Sequence, residues 1–204
     1  MKVRDAVSDA LRDLGVVALD EPLTMDSLAH GARVLDRMLR DWQGYGYCLW
    51  TKSVQSVPLV VGVGSYALPS RPVQILDVLY VDAAETPMER LSREEYDRLP
   101  NKATLGRPTC WHEVRGPAGS TLKIWPTPSA IASASVVYTR EILDQESANA
   151  DLDCPKEWRR AVVKNLAIEL APAYPSDVSL LMRQAGEALS LALGADREDS
   201  VFFS

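Results

Sequence analysis

Residues that could carry catalysis or hold a metal are few and widely separated in this sequence. The chain has only two histidines, His30 and His112, and three cysteines, Cys48, Cys110 and Cys154. Neither histidine has a companion at the spacing of a metal site, and no CxxC pair occurs. We therefore predict no metal site, and the isolated cysteines favour reduced thiols over a disulfide framework.

The sequence motifs of common enzyme classes are also missing. There is no GxSxG elbow, no GxGxxG after a strand and no GxxxxGK[ST] loop. Gly62 and Gly64 lead into Pro69 and not into a helix, so they favour a hairpin turn over a phosphate loop. Glu94 and Glu95 are one of many carboxylate pairs in a chain with 28 acidic residues, and a glycosidase needs two held across a cleft. We predict no catalytic or cofactor-binding residue and no cofactor.

The charge balance argues against a protein that grips nucleic acid. The chain has a net charge of −6 and a pI near 5.0. Affinity for nucleic acid depends on cations placed against phosphates, so an acidic chain is a poor candidate. The basic cluster of Arg159, Arg160 and Lys164 lies among core residues at helical spacing, which favours a solvated helix face with local ion pairs.

The chain shows no signal for a membrane or for secretion. No apolar run is long enough to span a bilayer, and the first residues, MKVRDAV, lack the apolar block of a signal peptide. A chain of 204 residues can bury a core without disulfides. We expect a soluble protein that is not secreted by this route.

Four amphipathic helices are predicted among the elements that would position a functional site. Apolar residues at helical spacing predict helices over about residues 3–14, 24–43, 155–174 and 176–193. In the third helix, Trp158, Val162 and Leu166 share a broad apolar face. We expect this helix to be the centre of a core shared by all four.

The middle of the chain, about residues 49–142, predicts β-structure. Val73–Val81 is rich in β-branched and apolar residues, as a buried strand should be. Ser92 and Glu95 form a capping box, which predicts a short helix over residues 92–99. The predicted fold class is α+β, a helical core from the N- and C-terminal helices with an inserted, mostly antiparallel β region. Residues 1–194 are predicted to form a single domain, and residues 195–204 a C-terminal arm.

An ordered set of segments resembles the podovirus head-to-tail adaptors, which are also called tail accessory factors, head completion proteins or packaged-DNA stabilisation proteins. No single segment is diagnostic, and the resemblance extends to about residue 193. The segments are MKVRDAVSDALRDLGVVA, LAHGARVLDRMLRDWQGYG, VPLVVGVGSYALP, RPVQILDVLYVD, LSREEYDRLPNKATLGRPTCWHEV, LKIWPTP and CPKEWRRAVVKNLAIELAPAYPSD.

The resemblance implies a structural virion protein and not an enzyme. By resemblance, a ring of copies, dodecameric in this family, would bind the portal protein after DNA packaging, extend the DNA channel, help retain the genome and provide the tail attachment site. Its partners would be the portal, neighbouring copies and a tail or nozzle protein. DNA would pass through without sequence-specific binding. The expected location is the virion neck, with assembly in the host cytoplasm.

The C-terminal residues Val201, Phe202 and Phe203 are the candidate contact with the portal or a neighbouring copy. Both phenylalanines of the chain lie here, behind the polar segment ADREDS. Exposed aromatic residues near a chain end favour aggregation unless they are bound. Either this segment folds back onto its own core, or it anchors in a pocket of a partner.

Two other functions remain open at this stage. One is a virion-associated, cell-wall-degrading enzyme with a cleft in the β region. The other is a cytoplasmic regulatory module that binds small ligands.

Overall fold

The computed structural model describes residues 1–18, 20–68, 72–116, 119–174 and 177–195. Helices lie at both ends of the chain and mostly antiparallel strands lie between them, which confirms the predicted α+β class. The chain divides into two compact units. The helical unit contains Met1–Trp50 and the chain from Ile142 onward, and the β unit is Thr51–Glu141. The assignment of residues 1–194 to a single domain stays a prediction.

Five α-helices are found among the described residues. They are α1 (Val3–Asp13), α2 (Met25–Gly44), α3 (Arg93–Asp97), α4 (Arg159–Leu170) and α5 (Ser179–Ala195). Short 3-10 turns cover Leu49–Thr51, Lys156–Trp158 and Ala171–Ala173. The described strands are β1 (Lys52–Leu59), β2 (Ser65–Ala67), β3 (Gln74–Val81), β4 (Glu85–Pro87), β5 (Glu89–Arg90), β6 (Leu105–Gly106), β7 (Cys110–Arg115), β8 (Ser120–Trp125), β9 (Thr127–Pro128) and β10 (Ala132–Thr139).

The ends of the first two helices follow from their capping residues. The Thr24 hydroxyl accepts a hydrogen bond from the Ser27 N–H at 3.1 Å and so caps the start of α2. Gly15 follows α1 with a φ of +72°, the left-handed conformation that commonly ends a helix and that glycine adopts without strain.

One apolar core joins α1, α2, α4 and α5, as the apolar stripes predict. Trp158 lies at its centre with no exposed surface. The Trp158 ring is 5.7 Å from the Trp42 ring and 4.8 Å from the Trp50 ring, centroid to centroid. The Trp50 indole N–H donates to the Asp153 carbonyl at 3.0 Å. Other fully buried members of this core are Val3, Val7, Leu11, Leu35, Leu39, Val162, Leu166 and Leu170.

The predicted helix 155–174 is correct in place but is not continuous. Its α-helical part is α4, and a 3-10 turn lies on each side. Pro172 has no N–H to donate, so the α-helical bonding pattern cannot continue through it. Asn165 joins α4 to α5, because its side-chain amide donates to the Ala161 carbonyl at 2.8 Å and reaches the Ala185 carbonyl at 3.5 Å.

The last helix differs from the prediction at its C-terminal end. It runs to Ala195, through Gly194, where the sequence suggested an end at residue 193. A glycine inside a helix costs only about 1 kcal/mol relative to alanine. Ala192, buried one turn earlier, holds this end of the helix on the core. The predicted first residue of this helix, residue 176, lies outside the described residues.

A buried polar network fixes the segment that returns from the β unit. Gln145 has no exposed surface. Its side-chain amide donates to the Leu143 carbonyl at 3.0 Å, and its side-chain oxygen accepts from the Asp153 N–H at 3.1 Å. Its backbone N–H donates to Asp36 of α2 at 3.0 Å, and Arg40 donates to the same carboxylate at 2.6 Å. Each of these polar groups has a hydrogen-bond partner within the network, so burying them costs little free energy.

The β unit contains two four-stranded sheets. Their strand orders are β1-β10-β3-β4 and β2-β8-β7-β5, and β6 pairs with β9. All pairs are antiparallel except β5 with β7 and β6 with β9. The described strands that the sequence did not indicate, β4, β5, β6 and β9, have two or three residues each, too few for an alternating pattern to show. The second core of the molecule includes Val57, Leu59, Ile75, Val78, Trp111, Leu122, Ile124 and Val136.

Truncating the central tryptophan should destabilise the helical unit strongly. We expect Trp158→Ala to lower the free energy of unfolding by roughly 3–5 kcal/mol, because the ring is fully buried against two other tryptophans. Chemical denaturation measures this change. Leu191→Ala on α5 is the control, since Leu191 is 66% exposed, and its cost should stay within about 0.5 kcal/mol. A loss well under 1 kcal/mol for Trp158→Ala would show that the core does not depend on this residue.

Candidate functional site

The predicted contact residues Val201, Phe202 and Phe203 lie outside the described residues. Their role in binding the portal or a neighbouring copy stays a prediction. The alternative predicted site, a cleft in the β region, falls on residues that the structure describes.

Two adjoining cavities in the β unit form what we call the His112 cleft. Their volumes are about 420 and 510 Å³, and both are lined by Arg93, His112 and Glu113. The other lining residues are Arg90, Leu91, Ser92 and Glu95 in the first cavity, and Tyr96, Asp97, Val114, Arg115 and Lys123 in the second.

Strand register and a helix cap position the side chains of this cleft. His112 on β7 is the register partner of Lys123 on β8, so both side chains lie on one face of the sheet. The Ser92 hydroxyl accepts from the Glu95 N–H at 3.3 Å, and the Glu95 carboxylate accepts from the Ser92 N–H at 2.7 Å. This is the predicted capping box, and it starts α3, which carries Tyr96.

His112 is held by a backbone bond and by ring stacking. Its Nδ1 lies 3.1 Å from the Leu91 carbonyl, so a neutral ring donates from Nδ1 and presents Nε2 as an acceptor. The ring stacks on Tyr96, with centroids 5.3 Å apart and an interplanar angle of 21°. The ammonium groups of Lys102 and Lys123 lie 5.5 and 5.3 Å from the Tyr96 centroid, as cation–π partners.

The glutamates of the cleft are engaged in structural bonds. The Glu113 side chain is only 3% exposed, and it accepts from Ser120 at 2.9 Å and from Arg115 at 3.0 Å. Hydrogen bonds from Ser92 lower the pKa of Glu95 below its ordinary value. A glycosidase acid needs the opposite, a carboxyl whose pKa is raised. The two glutamates therefore hold the start of α3 and the β7–β8 pair in place.

The three cysteine thiols lie in buried or partly buried positions. Burial raises the pKa of Cys154 to about 12, so its thiol stays protonated at neutral pH. Cys110 donates to the Trp125 carbonyl at 3.3 Å, and Cys48 donates to the Leu39 carbonyl at 3.9 Å. Within the described ranges, no group of three or more His, Cys, Asp or Glu side chains could hold a metal ion. A search of the same ranges finds no helix long and apolar enough to cross a membrane.

The helical unit has a smaller cavity of about 340 Å³ that contains the basic cluster noted in the sequence. Arg159, Arg160 and Lys164 line it together with Asp9 and Asp13, and with Met1 and Val163. The Lys164 ammonium lies 2.9 Å from the Asp13 carboxylate. The ion pair agrees with the interpretation of this cluster as a helix face with local pairing.

Charge is divided unequally between the two units. The helical unit carries 12 Lys and Arg against 19 Asp and Glu, a net charge of −7, whereas the β unit carries 10 against 9, a net charge of +1. The acidity of the chain therefore resides in the helical unit.

Comparison with known proteins decides the family. Residues 1–201 match the family described as SU10 adaptor protein. The chain belongs to the SU10 adaptor family. The match spans both units of the adaptor, so neither unit is an addition foreign to the family.

The comparisons with curated proteins and with solved structures add little to the family match. No curated protein matches the sequence. One matching solved structure, "Virion of native gene transfer agent (GTA) particle", has 14% sequence identity and a TM-score of 0.35, and the match covers 100% of this chain and 92% of that chain.

Family membership confirms the adaptor resemblance at the level of the family and points to a structural role. The His112 cleft was not found from the sequence, where His112 was weighed only as a metal ligand. The one available signal was the capping box, which places Tyr96 on a helix four residues after Ser92. The contact between β7 and α3 joins residues that are distant in the sequence, so no local sequence pattern could predict it.

Removing the Ser92 hydroxyl should change the titration of Glu95. We expect Ser92→Ala to raise the pKa of Glu95 toward its ordinary value of 4.5, because the hydrogen bond from the Ser92 side chain is the largest cause of the lowering. NMR titration of the Glu95 side-chain carbon measures this pKa.

The sign of the effect on stability follows from the same shift. A lowered folded-state pKa stabilises the protein above pH 4.5, and this contribution is lost as the pH falls through the folded pKa. Asp177 is the internal control, since Ser179 lowers its pKa in the same way and Ser92→Ala should leave it unchanged. An unchanged pKa of Glu95 in the variant would rule out the cap as the cause.

Proposed function

We propose that this protein is a structural head-to-tail adaptor of a podovirus-like virion. In this proposal a ring of copies, dodecameric by resemblance, binds the portal after packaging, extends the DNA channel, helps retain the genome and receives the tail. The observation that carries the proposal is the SU10 adaptor family match over residues 1–201, nearly the whole chain. The proposed location is the neck of the virion, after assembly in the host cytoplasm.

The charge of the chain suits a channel through which DNA must slide. Tight phosphate contacts would slow the passage of DNA, and they require clustered cations. Each copy has a net charge of −6, and a ring of copies would multiply that charge. Surfaces of the helical unit that faced the channel would repel the phosphates rather than hold them.

The C-terminal arm is the proposed contact with the portal or with a neighbouring copy. Helix α5 is fixed to the helical core by Leu181, Ala185, Ala188 and Ala192 and runs to Ala195. The arm therefore starts from an anchored helix end. Its Val201, Phe202 and Phe203 are of the residue types that fill pockets at interfaces, where single aromatic anchors are worth on the order of 2 kcal/mol or more.

Assembly on the portal tests the proposed function. We expect the free protein to have a mass near 22.5 kDa, or to form weak oligomers that higher salt strengthens by screening the net charge of −6. Addition of purified portal should then give a ring, which native mass spectrometry or mass photometry detects. Stable rings of the free protein at low salt would contradict the expectation that a ring forms only when the portal is present. A persistent monomer that degrades cell-wall polysaccharide would favour the enzyme.

Deleting residues 196–204 tests the arm. We expect the truncated protein to keep its melting temperature, because the last buried residue described on α5 is Ala192, and to lose portal binding in a pull-down with purified portal. The matched variants are Phe202→Ser with Phe203→Ser, which should also lose binding, and Glu198→Gln, which should retain it. A truncated protein that melts much earlier would indicate that the segment folds back onto its core. Full binding by the truncated protein would show that the anchor lies elsewhere.

A further inference from the structure

The cavity of the helical unit has more cations in its lining than carboxylates. We call it the α1–α4 cavity, because its charged lining residues lie on these two helices. Arg159, Arg160 and Lys164 are the cations, and Asp9 and Asp13 are the carboxylates. This local excess of positive charge contrasts with the net charge of −7 of the whole unit.

Helical spacing gathers these side chains at one place. Arg160 and Lys164 are four residues apart on α4, and Asp9 and Asp13 are four apart on α1, so each pair lies on one face of its helix. The two helices pack against each other in the helical core. The Lys164 ammonium lies 2.9 Å from the Asp13 carboxylate and joins the two helices at the cavity.

Both carboxylates of the cavity already have a cationic partner. Asp13 pairs with Lys164, and these side chains are only 29% and 19% exposed. The Asp9 carboxylate lies 3.6 Å from the Arg12 guanidinium on the same helix. Among the described residues, neither Arg159 nor Arg160 has an ion pair. The charge of these two arginines is therefore not compensated within the cavity.

Arg159 also has a buried donor without an acceptor. Its Nε is enclosed by the protein and makes no hydrogen bond to any described residue. A buried donor that lacks an acceptor is costly, and in native proteins such a group commonly marks a bound water or ion. An acceptor oxygen in the cavity would satisfy this N–H after a small turn of the guanidinium group.

The chemistry of the two arginines selects the class of ligand. A guanidinium group is planar and always charged, and it donates two parallel N–H bonds to a carboxylate or a phosphate. A cation would be repelled by Arg159 and Arg160, and an apolar group would leave their donors unsatisfied. The cavity therefore suits an oxyanion with at least two acceptor oxygens.

The charge of the surrounding unit favours a small oxyanion over a large one. A polyanion such as DNA, or an acidic protein surface, would be repelled by a unit with a net charge of −7. DNA also needs many cations placed along its length. A small oxyanion carries one or two charges and meets the arginines at contact distance. The volume of about 340 Å³ is near the lower end of the range for small-molecule sites, about 300–1,000 Å³.

We propose that the α1–α4 cavity is a binding site for a small oxyanion of the phosphate or carboxylate type, held by Arg159 and Arg160. Because the site exists only when α1 and α4 are packed together, the bound ion stabilises the folded helical unit. The inference does not rest on the proposed function.

Thermal melting in phosphate tests the site. At about ten times its dissociation constant, phosphate should raise the melting temperature by about 3 °C relative to sodium chloride of the same ionic strength. Acetate in a parallel series distinguishes the two sources, since the oxyanion that binds more tightly names the type. Failure of both oxyanions to stabilise the protein beyond chloride would overturn the proposal.

Variants locate the effect. Arg159→Gln combined with Arg160→Gln should raise the dissociation constant of the ion, measured by isothermal titration calorimetry, at least about tenfold. Arg33→Gln is the matched control, because Arg33 is an exposed arginine on α2, and it should change the constant less than about twofold. Melting in chloride verifies that each variant is folded. Unchanged binding by the double variant would show that the ion is held elsewhere.

The side-chain Nε–H signal of Arg159 gives a measurement on the wild-type protein. NMR spectra of Arg159→Gln identify this signal by its loss. Phosphate or acetate should shift it and slow its exchange with water, and should leave the Arg33 signal unchanged. A signal that responds to neither ion would show that the cavity holds water only, which contradicts the proposal. A short DNA duplex that shifts the signal at lower concentration than phosphate would overturn it in favour of a nucleic-acid ligand.

Discussion

The pairing of β1 with β10 is the constraint on which the rest of the structure depends. The two strands run antiparallel from Lys52 opposite Thr139 to Leu59 opposite Ala132, and the Arg140 N–H donates to the Thr51 carbonyl at 2.9 Å. The first and last residues of the β unit therefore lie side by side. Bringing the two ends of a long insertion together costs conformational entropy. The pairing of β1 with β10 offsets this entropy cost with hydrogen bonds inside the β unit itself. The helical unit can then form from segments that the sequence separates widely.

Two interactions complete the helical unit after the chain returns. Trp158 fills the space between Trp42 and Trp50, both of which precede the insertion, so its burial couples the two halves of the unit. Apolar packing of this kind is strong but tolerant of small shifts in register. The bonds of Gln145 with Asp36 and Asp153 are directional, and each group that lost its partner would remain buried and unsatisfied. We infer that the tryptophans supply most of the stability of this junction and the polar network fixes its alignment.

The sequence predicted what depends on neighbours along the chain and missed what depends on distant pairing. Helical periodicity located the apolar face that contains Trp158, and the Ser92–Glu95 capping box located α3, because both patterns are complete within a few residues. The division into two sheets was missed, since strands such as β5 and β6 exist only through their parallel partners β7 and β9. The stacking of Tyr96 on His112 was missed for the same reason. The resemblance to head-to-tail adaptors came from an ordered set of segments, which no periodicity could supply, and the family match confirms it only at the level of an adaptor.

The two units differ in what they offer to a partner, and this difference bears on the order of assembly. The helical unit has a net charge of −7, so identical units repel one another at low salt, while the β unit is near neutral. A partner that binds several copies offsets this repulsion through its own contacts with each copy. An adaptor built in this way would stay dispersed until such a partner is present.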